Sequence, residues 1–135
     1  MAKRIQFNQH GGPEVLQLVE ASPAVPGAGE VLVRNHAVGL NFIDTYFRTG
    51  LYAPPALPSG LGTEGAGVIE AVGADVEHLR VGDRVAYATG PLGAYGEHHC
   101  LPVGACARRS ADRRGRLGGE GRTRQGARCL GDHRP

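Results

Sequence analysis

The chain has no tryptophan, a single methionine, and three cysteines (Cys100, Cys106 and Cys129) with no CxxC pair among them. An odd, unpaired set of this kind supports neither a disulfide framework nor a thiolate zinc site, and a reduced, cytoplasmic setting is the expectation. No apolar run approaches the roughly 18 residues that a membrane-spanning helix needs, so no membrane partner is expected. Lys3 and Arg4 are followed by no apolar stretch, so the N-terminus does not read as a secretory signal. From Gly104 onward Val, Ile, Phe, Tyr, Trp and Met are all missing. Such a segment cannot bury enough apolar surface to fold alone, and residues 104–135 are expected to form a disordered tail.

What is present is glycine and proline, 22 and 9 of 135 residues. A chain of this length is one domain, and this composition favours many turns and short strands over long helices. The charge is divided: residues 1–103 carry six basic side chains against ten acidic ones, whereas residues 104–135 carry nine arginines against three acids. The body is mildly acidic, and the excess positive charge belongs to the tail.

Hydrophobic periodicity predicts strands over 3–7, 15–19, 30–38, 65–72, 84–88 and 94–101. In the strand at 30–38, Val31, Val33 and Ala37 are expected on one face, with Arg34 and His36 on the other. Residues 41–48 change period. Phe42, Ile43, Tyr46 and Phe47 form one stripe of a short helix, which Asn41 is placed to cap and Gly50 to end. Pro54, Pro55 and Pro58 mark a loop too rich in proline for a sheet interior. Short strands with turns every ten residues or so point to a mainly β fold, a small barrel with one short helix.

Four stretches carry a resemblance: Gly11-Gly12-Pro13-Glu14-Val15-Leu16, Gly39-Leu40-Asn41-Phe42-Ile43-Asp44-Thr45-Tyr46, Gly60-Leu61-Gly62-Thr63-Glu64-Gly65-Ala66-Gly67 and Val81-Gly82-Asp83-Arg84-Val85, with Gly93-Ala94-Tyr95 following. In this order and spacing, the chain resembles the N-terminal part of bacterial NADPH:quinone oxidoreductases. These form the zinc-free, zeta-crystallin-like branch of the medium-chain dehydrogenases/reductases. The resemblance implies a GroES-like β-barrel over residues 1–103, followed in the family by a Rossmann domain. No such domain is expected here: Gly118-Gly119-Glu120-Gly121 has no strand before it and no helix after it, so it does not qualify as a phosphate loop.

The resemblance also implies a site. Zinc-dependent relatives carry a Cys and a His, both metal ligands, where this chain has Asn41 and Thr63. An amide and a hydroxyl are poor zinc donors, so no zinc is expected, and NADPH is expected to reduce a quinone by direct, metal-free hydride transfer. Asn41, Phe42, Ile43, Asp44 and Thr63 would line the cofactor cleft, and Tyr46 and Tyr52 would hold the quinone. Asn41, Tyr46 and Asp44 are the candidate catalytic residues. Asn41 either donates to developing charge or simply caps the helix, and the two are compatible. Asp44 as a general base competes with water as the proton source, and Tyr52 with ordinary packing. Glu64 reads as a structural acceptor.

His98, His99 and Cys100 are consecutive, and on a strand only His98 and Cys100 share a face, too few for a metal site. His10, His36, His78 and His133 are scattered singly. Arg, Gly, Ala and Pro all have GC-rich codons, so the tail is expected to be an out-of-frame translation. The chain is then expected to be truncated and inactive alone, with the dimerisation usual in the family doubtful. The alternative is a non-catalytic barrel fragment whose basic tail binds nucleic acid non-specifically, although that tail has no aromatic residue to stack on a base.

Overall fold

The computed structural model describes residues 1–108. Two antiparallel sheets make up most of it. The first has the order β2-β1-β4, built from β1 (Ala2–Phe7), β2 (Gln17–Ala21) and the two-residue β4 (Ser59–Gly60). The second has the order β7-β3-β5-β6-β8, from β3 (Glu30–Val38), β5 (Gly65–Val72), β6 (Arg84–Tyr87), β7 (His98–Pro102) and β8 (Cys106–Arg108). A single bridge, Arg4 to Gly96, and the bond from the Ile5 amide to the Tyr95 carbonyl tie one sheet to the other. One helix, α1 (Phe42–Thr49), lies between β3 and β4 in the chain. The architecture is the mainly β, one-helix fold expected.

The core follows from the alternation in these strands. Val31, Val33, Ile69, Leu79, Val85, Tyr87, Ala94 and Leu101 form one buried cluster, and Phe7, Val15 and Leu61 a second. Each fully buried aliphatic side chain contributes roughly 1.5–3 kcal/mol, so these clusters dominate the stability.

Four expectations are corrected. The register of β3 against β5 shifts between Leu32 and Val33 and again between Asn35 and Ala37. A bulge re-aims the side chains after it. Asn35 continues the inward face of Val31 and Val33, and Ala37, which follows the extra residue His36, is exposed rather than sharing that face. The second strand starts two residues later than its apolar run, because Pro13–Val15 forms a 3-10 turn. Pro13 suits a first helical position, and the Glu14 carboxylate accepts the Gly12 N–H at 2.8 Å. Over 94–101, only His98 onward is strand, since residues 94–97 bond to β1 and to the loop at 61–62 instead. Finally, the sheet runs past residue 103: Val103–Ala105 makes a 3-10 turn, and β8 pairs with β6 from Val85–Arg108 to Tyr87–Cys106. The disordered, out-of-frame segment expected over 104–135 lies, from residue 109 on, outside the described residues.

Candidate active-site face

Helix α1 starts where β3 ends. Asn41 is extended (φ −124°, ψ 153°) and occupies the N-cap, and its backbone N–H donates to Asp44 Oδ2 at 2.9 Å. Gly50 closes the helix at φ +87°, in the left-handed region that glycine enters freely. Both expected helix ends are thus in place.

The expected apolar stripe is not the buried one. Phe42 is 76% exposed and Leu40 85%, while the residue most buried in the helix is Asp44, at 3%. The inward seam is Asp44, Phe47 and Arg48. Phe47 packs on the cluster of Phe7, Val15 and Leu61, and Arg48 Nε donates to the Gly11 carbonyl at 3.3 Å. The physical reason is a polar anchor. The Tyr95 hydroxyl donates to Asp44 Oδ2 at 2.7 Å, and leaving that buried acceptor unmatched would cost about 1–3 kcal/mol. Rotated by that anchor, α1 turns Leu40, Phe42 and Ile43 outward.

The outward side carries the candidate site. Phe42 and Tyr46 meet edge-to-face with ring centroids 5.6 Å apart, Tyr46 and Tyr52 at 5.5 Å, and Tyr52 and Phe47 at 5.7 Å. The Tyr52 N–H donates to the Tyr46 carbonyl at 3.1 Å, which fixes the loop after α1 against the helix. Phe42, Tyr46 and Tyr52 are therefore joined ring to ring, Asn41 and Ile43 flank Phe42 in the chain, and Asp44 is buried. Thr63 belongs to the adjoining loop. Its carbonyl accepts the Gly90 N–H at 3.2 Å, and its neighbour Glu64 accepts the Gly39 N–H through its own carbonyl at 3.1 Å. The Glu64 side chain lies against Gly39, where a Cβ would collide with it. This backbone link brings the Thr63 loop to the segment that leads into Asn41.

Sequence reasoning quoted Tyr95 but gave it no role. The hydroxyl sits 51 residues from its partner, beyond the reach of any periodicity. Burial, first, and then the bond to Asp44 raise its pKa above the ordinary phenol range, so the hydroxyl stays protonated and donating. Two further polar groups support this side from within. The Tyr87 hydroxyl donates to Asn35 Oδ1 at 2.9 Å, and Asn35 Nδ2 donates to the Ala94 and Gly96 carbonyls at 3.2 and 2.8 Å. Burial pushes the Tyr87 hydroxyl up to about 12, against the favourable bond to Asn35.

His98 and Cys100 do share a face, and each meets a carboxylate: His98 Nε2 lies 2.8 Å from Glu70, which also pairs with Arg34, and Cys100 Sγ lies 3.5 Å from Glu30. His99 is buried on the other face, with Nε2 at 3.0 Å from the Pro91 carbonyl. Among the described residues, no three His, Cys, Asp or Glu side chains gather as a metal site would require. Nor is any described helix long and apolar enough to cross a membrane.

Comparison with known proteins places this chain in a family. Residues 27–128 match the alcohol dehydrogenase GroES-like domain. The quinone oxidoreductase of Pseudomonas aeruginosa is 68% identical over 101 residues, covering 75% of this chain and 31% of that protein. Quinone oxidoreductase 1 of Escherichia coli is 61% identical over 99 residues, covering 73% and 30%. Among solved structures, quinone oxidoreductase from Pseudomonas syringae superposes with a TM-score of 0.80 at 63% identity over 84% of this chain and 34% of that one. The Escherichia coli enzyme, solved in complex with NADPH, gives 0.78 at 56% identity over 79% and 33%. The chain thus spans about a third of the length of the curated relatives it matches. Similar over this span to the N-terminal part of quinone oxidoreductases, it belongs to the alcohol dehydrogenase GroES-like domain family.

Proposed function

We propose that this chain supplies the quinone-facing side of a cytoplasmic, NADPH-dependent quinone reductase. The observation that supports this most directly is the surface of three contacting aromatic rings, Phe42, Tyr46 and Tyr52, that follows Asn41 in the chain. A flat, apolar ring with two carbonyl oxygens matches such a surface: edge-to-face rings accept another aromatic, and an amide N–H donates to charge developing on oxygen.

NADPH, when bound, supplies the hydride. Open aromatic surface beside Asn41 fits the nicotinamide end, with Phe42, Ile43 and Thr63 lining it. Asn41 orients one quinone oxygen, and Tyr46 and Tyr52 hold the ring. Reduction to the hydroquinone takes one hydride and one proton, and water is the better source of that proton. Asp44 is buried, and its Oδ2 already accepts from Asn41 and Tyr95. Asp44 is accordingly assigned a positioning role. An amide at 41 and a hydroxyl at 63 are unsuited to zinc, and no step is routed through a metal.

Titration of the chain with duroquinone, whose fully substituted ring cannot alkylate Cys100 or Cys106, tests this reading. Amide chemical shifts are expected to move at residues 41–46, 52 and 63. Shifts elsewhere, or none at millimolar quinone, would refute it. NADPH alone is expected to show no saturable binding at micromolar concentration, because most of a cofactor's binding energy comes from its non-reacting part. A micromolar constant by calorimetry would show that the described residues grip the nucleotide after all. The relatives named above are oxidoreductases, which lends no support to the alternative of a nucleic-acid-binding fragment.

A further inference from the structure

Asn41 and Thr63 come from segments 22 positions apart in the chain, and their relative placement has to be set by something between them. Tyr95 stands there. Its backbone is fixed at both ends: the Tyr95 N–H donates to the Leu61 carbonyl at 2.8 Å, and its carbonyl accepts the Ile5 N–H at 2.7 Å. Its ring lies directly on Gly62, the residue before Thr63, closely enough that a Cβ at position 62 would overlap it. Gly62 also has φ +85°, so a larger residue is disfavoured there twice over. The Gly93 and Ala94 amides, at 3.0 and 3.1 Å from the Gly62 carbonyl, bind the same loop. From that base the hydroxyl reaches α1 and donates to Asp44 Oδ2. The same oxygen receives the Asn41 N–H.

We infer that Tyr95 is a positioning residue: its ring braces the Gly62–Thr63 loop, its hydroxyl holds Asn41 through Asp44, and the length of one phenol sets the gap across which a ligand is received. Its part in ligand binding rests on the quinone reading above, but its part in the geometry does not. Asp44 is the second member of the device. Its acceptor oxygen matters and its negative charge does not, because both bonds need only an oxygen lone pair.

Tyr95→Phe, which removes only the oxygen, is compared with wild type and with Asp44→Asn in the full chain, by amide hydrogen exchange and by duroquinone titration. In Tyr95→Phe, exchange is expected to quicken about tenfold at Asn41 and Asp44 on one side and at Gly93 and Ala94 on the other. Amides of β3 and β5 keep their protection, and duroquinone affinity falls about five- to tenfold. Asp44→Asn, which keeps an acceptor oxygen, is expected to stay within about twofold of wild type in affinity. A residue that merely added stability would speed exchange across β3 and β5 as well and leave affinity in the folded protein unchanged, and that result overturns the inference. Unchanged exchange at Asn41, or affinity within about twofold in Tyr95→Phe, does the same. Should wild type itself fail to bind duroquinone, the quinone reading falls, and the exchange pattern alone decides whether Tyr95 sets the spacing.

Discussion

The five-stranded sheet and the α1 side of this domain are held together by different forces. The sheet closes over Val31, Val33, Ile69, Val85, Tyr87 and Leu101, all buried, and it would be recognised as a core in any protein. The α1 side has Phe47 on a small cluster, but is oriented by single polar bonds: Tyr95 to Asp44, Asn41 to Asp44, Arg48 to Gly11. It leaves Leu40, Phe42 and Ile43 in the open. A core of apolar contacts is non-directional and tolerates small displacements, whereas a hydrogen bond fixes atoms to a few tenths of an ångström. The difference separates a region that supplies stability from one that supplies geometry.

The largest test of that division is made in the sheet. Ile69 is 1% exposed on β5, between β3 and β6. Ile69→Ala is expected to lower the unfolding free energy by about 2–5 kcal/mol, out of a total of roughly 5–15 kcal/mol for a domain of this kind. Duroquinone affinity measured well below the melting temperature should be unchanged. Urea denaturation with and without quinone reads both quantities. A parallel loss of affinity would show that the sheet and the α1 side are one cooperative unit, and the comparison would break.

The same division explains what was legible in the sequence. The bounds of β3 and β5 could be read to the residue, because each is a period-2 run of branched and small side chains closed by glycine. The caps of α1 were legible too, since Asn41 and Gly50 act within one turn of their own positions. What could not be read was which side of α1 faces inward. The apolar stripe of Phe42, Ile43, Tyr46 and Phe47 pointed one way, and the partner that turned the helix, Tyr95, acts across 51 residues. The facing of Ala37 was lost for a related reason: a bulge depends on the neighbouring strand and leaves no mark in its own strand's alternation. Local chemistry is written in the sequence, and a single long-range polar bond is not. The candidate site depends on one such bond.

A smaller effect probes the place where the two regions meet. Tyr87 belongs to the sheet core, yet its hydroxyl reaches through Asn35 to the loop that carries Tyr95. Tyr87→Phe is expected to cost about 1–3 kcal/mol, the range for leaving a buried acceptor unmatched. The pH dependence is the sharper observable. The folded chain holds the Tyr87 proton up to about 12, against 10.0 for an ordinary tyrosine. The stabilisation is therefore fully present below pH 10 and is lost as pH rises towards 12. Wild type should lose melting temperature over that window, and Tyr87→Phe should lose less of it. The remaining slope belongs to the other groups that burial raises, Tyr95, Cys100 and Cys106. Equal slopes in the two proteins would remove Tyr87 from the link.

The smallest effect on stability is expected at the most exposed ring of the site. Phe42 gives up little on unfolding, since three-quarters of its surface already meets water in the folded chain. Phe42→Ser should therefore change the unfolding free energy by no more than about 0.5 kcal/mol, the usual range for a surface position. Its edge-to-face contact with Tyr46 contributes near the lower end of the roughly 0.5–1.5 kcal/mol of aromatic pairs, because the Phe42 ring remains largely in solvent. If that open ring serves a ligand and not the fold, the same substitution should weaken duroquinone binding several-fold and also improve solubility, since it breaks the exposed apolar patch it shares with Leu40 and Ile43. Ile69→Ala and Phe42→Ser would then form a double dissociation, stability without affinity in one and affinity without stability in the other. A Phe42→Ser protein that melts several degrees lower and binds quinone as before would reverse the assignment, making the α1 surface part of the packing and leaving the ligand to be sought elsewhere.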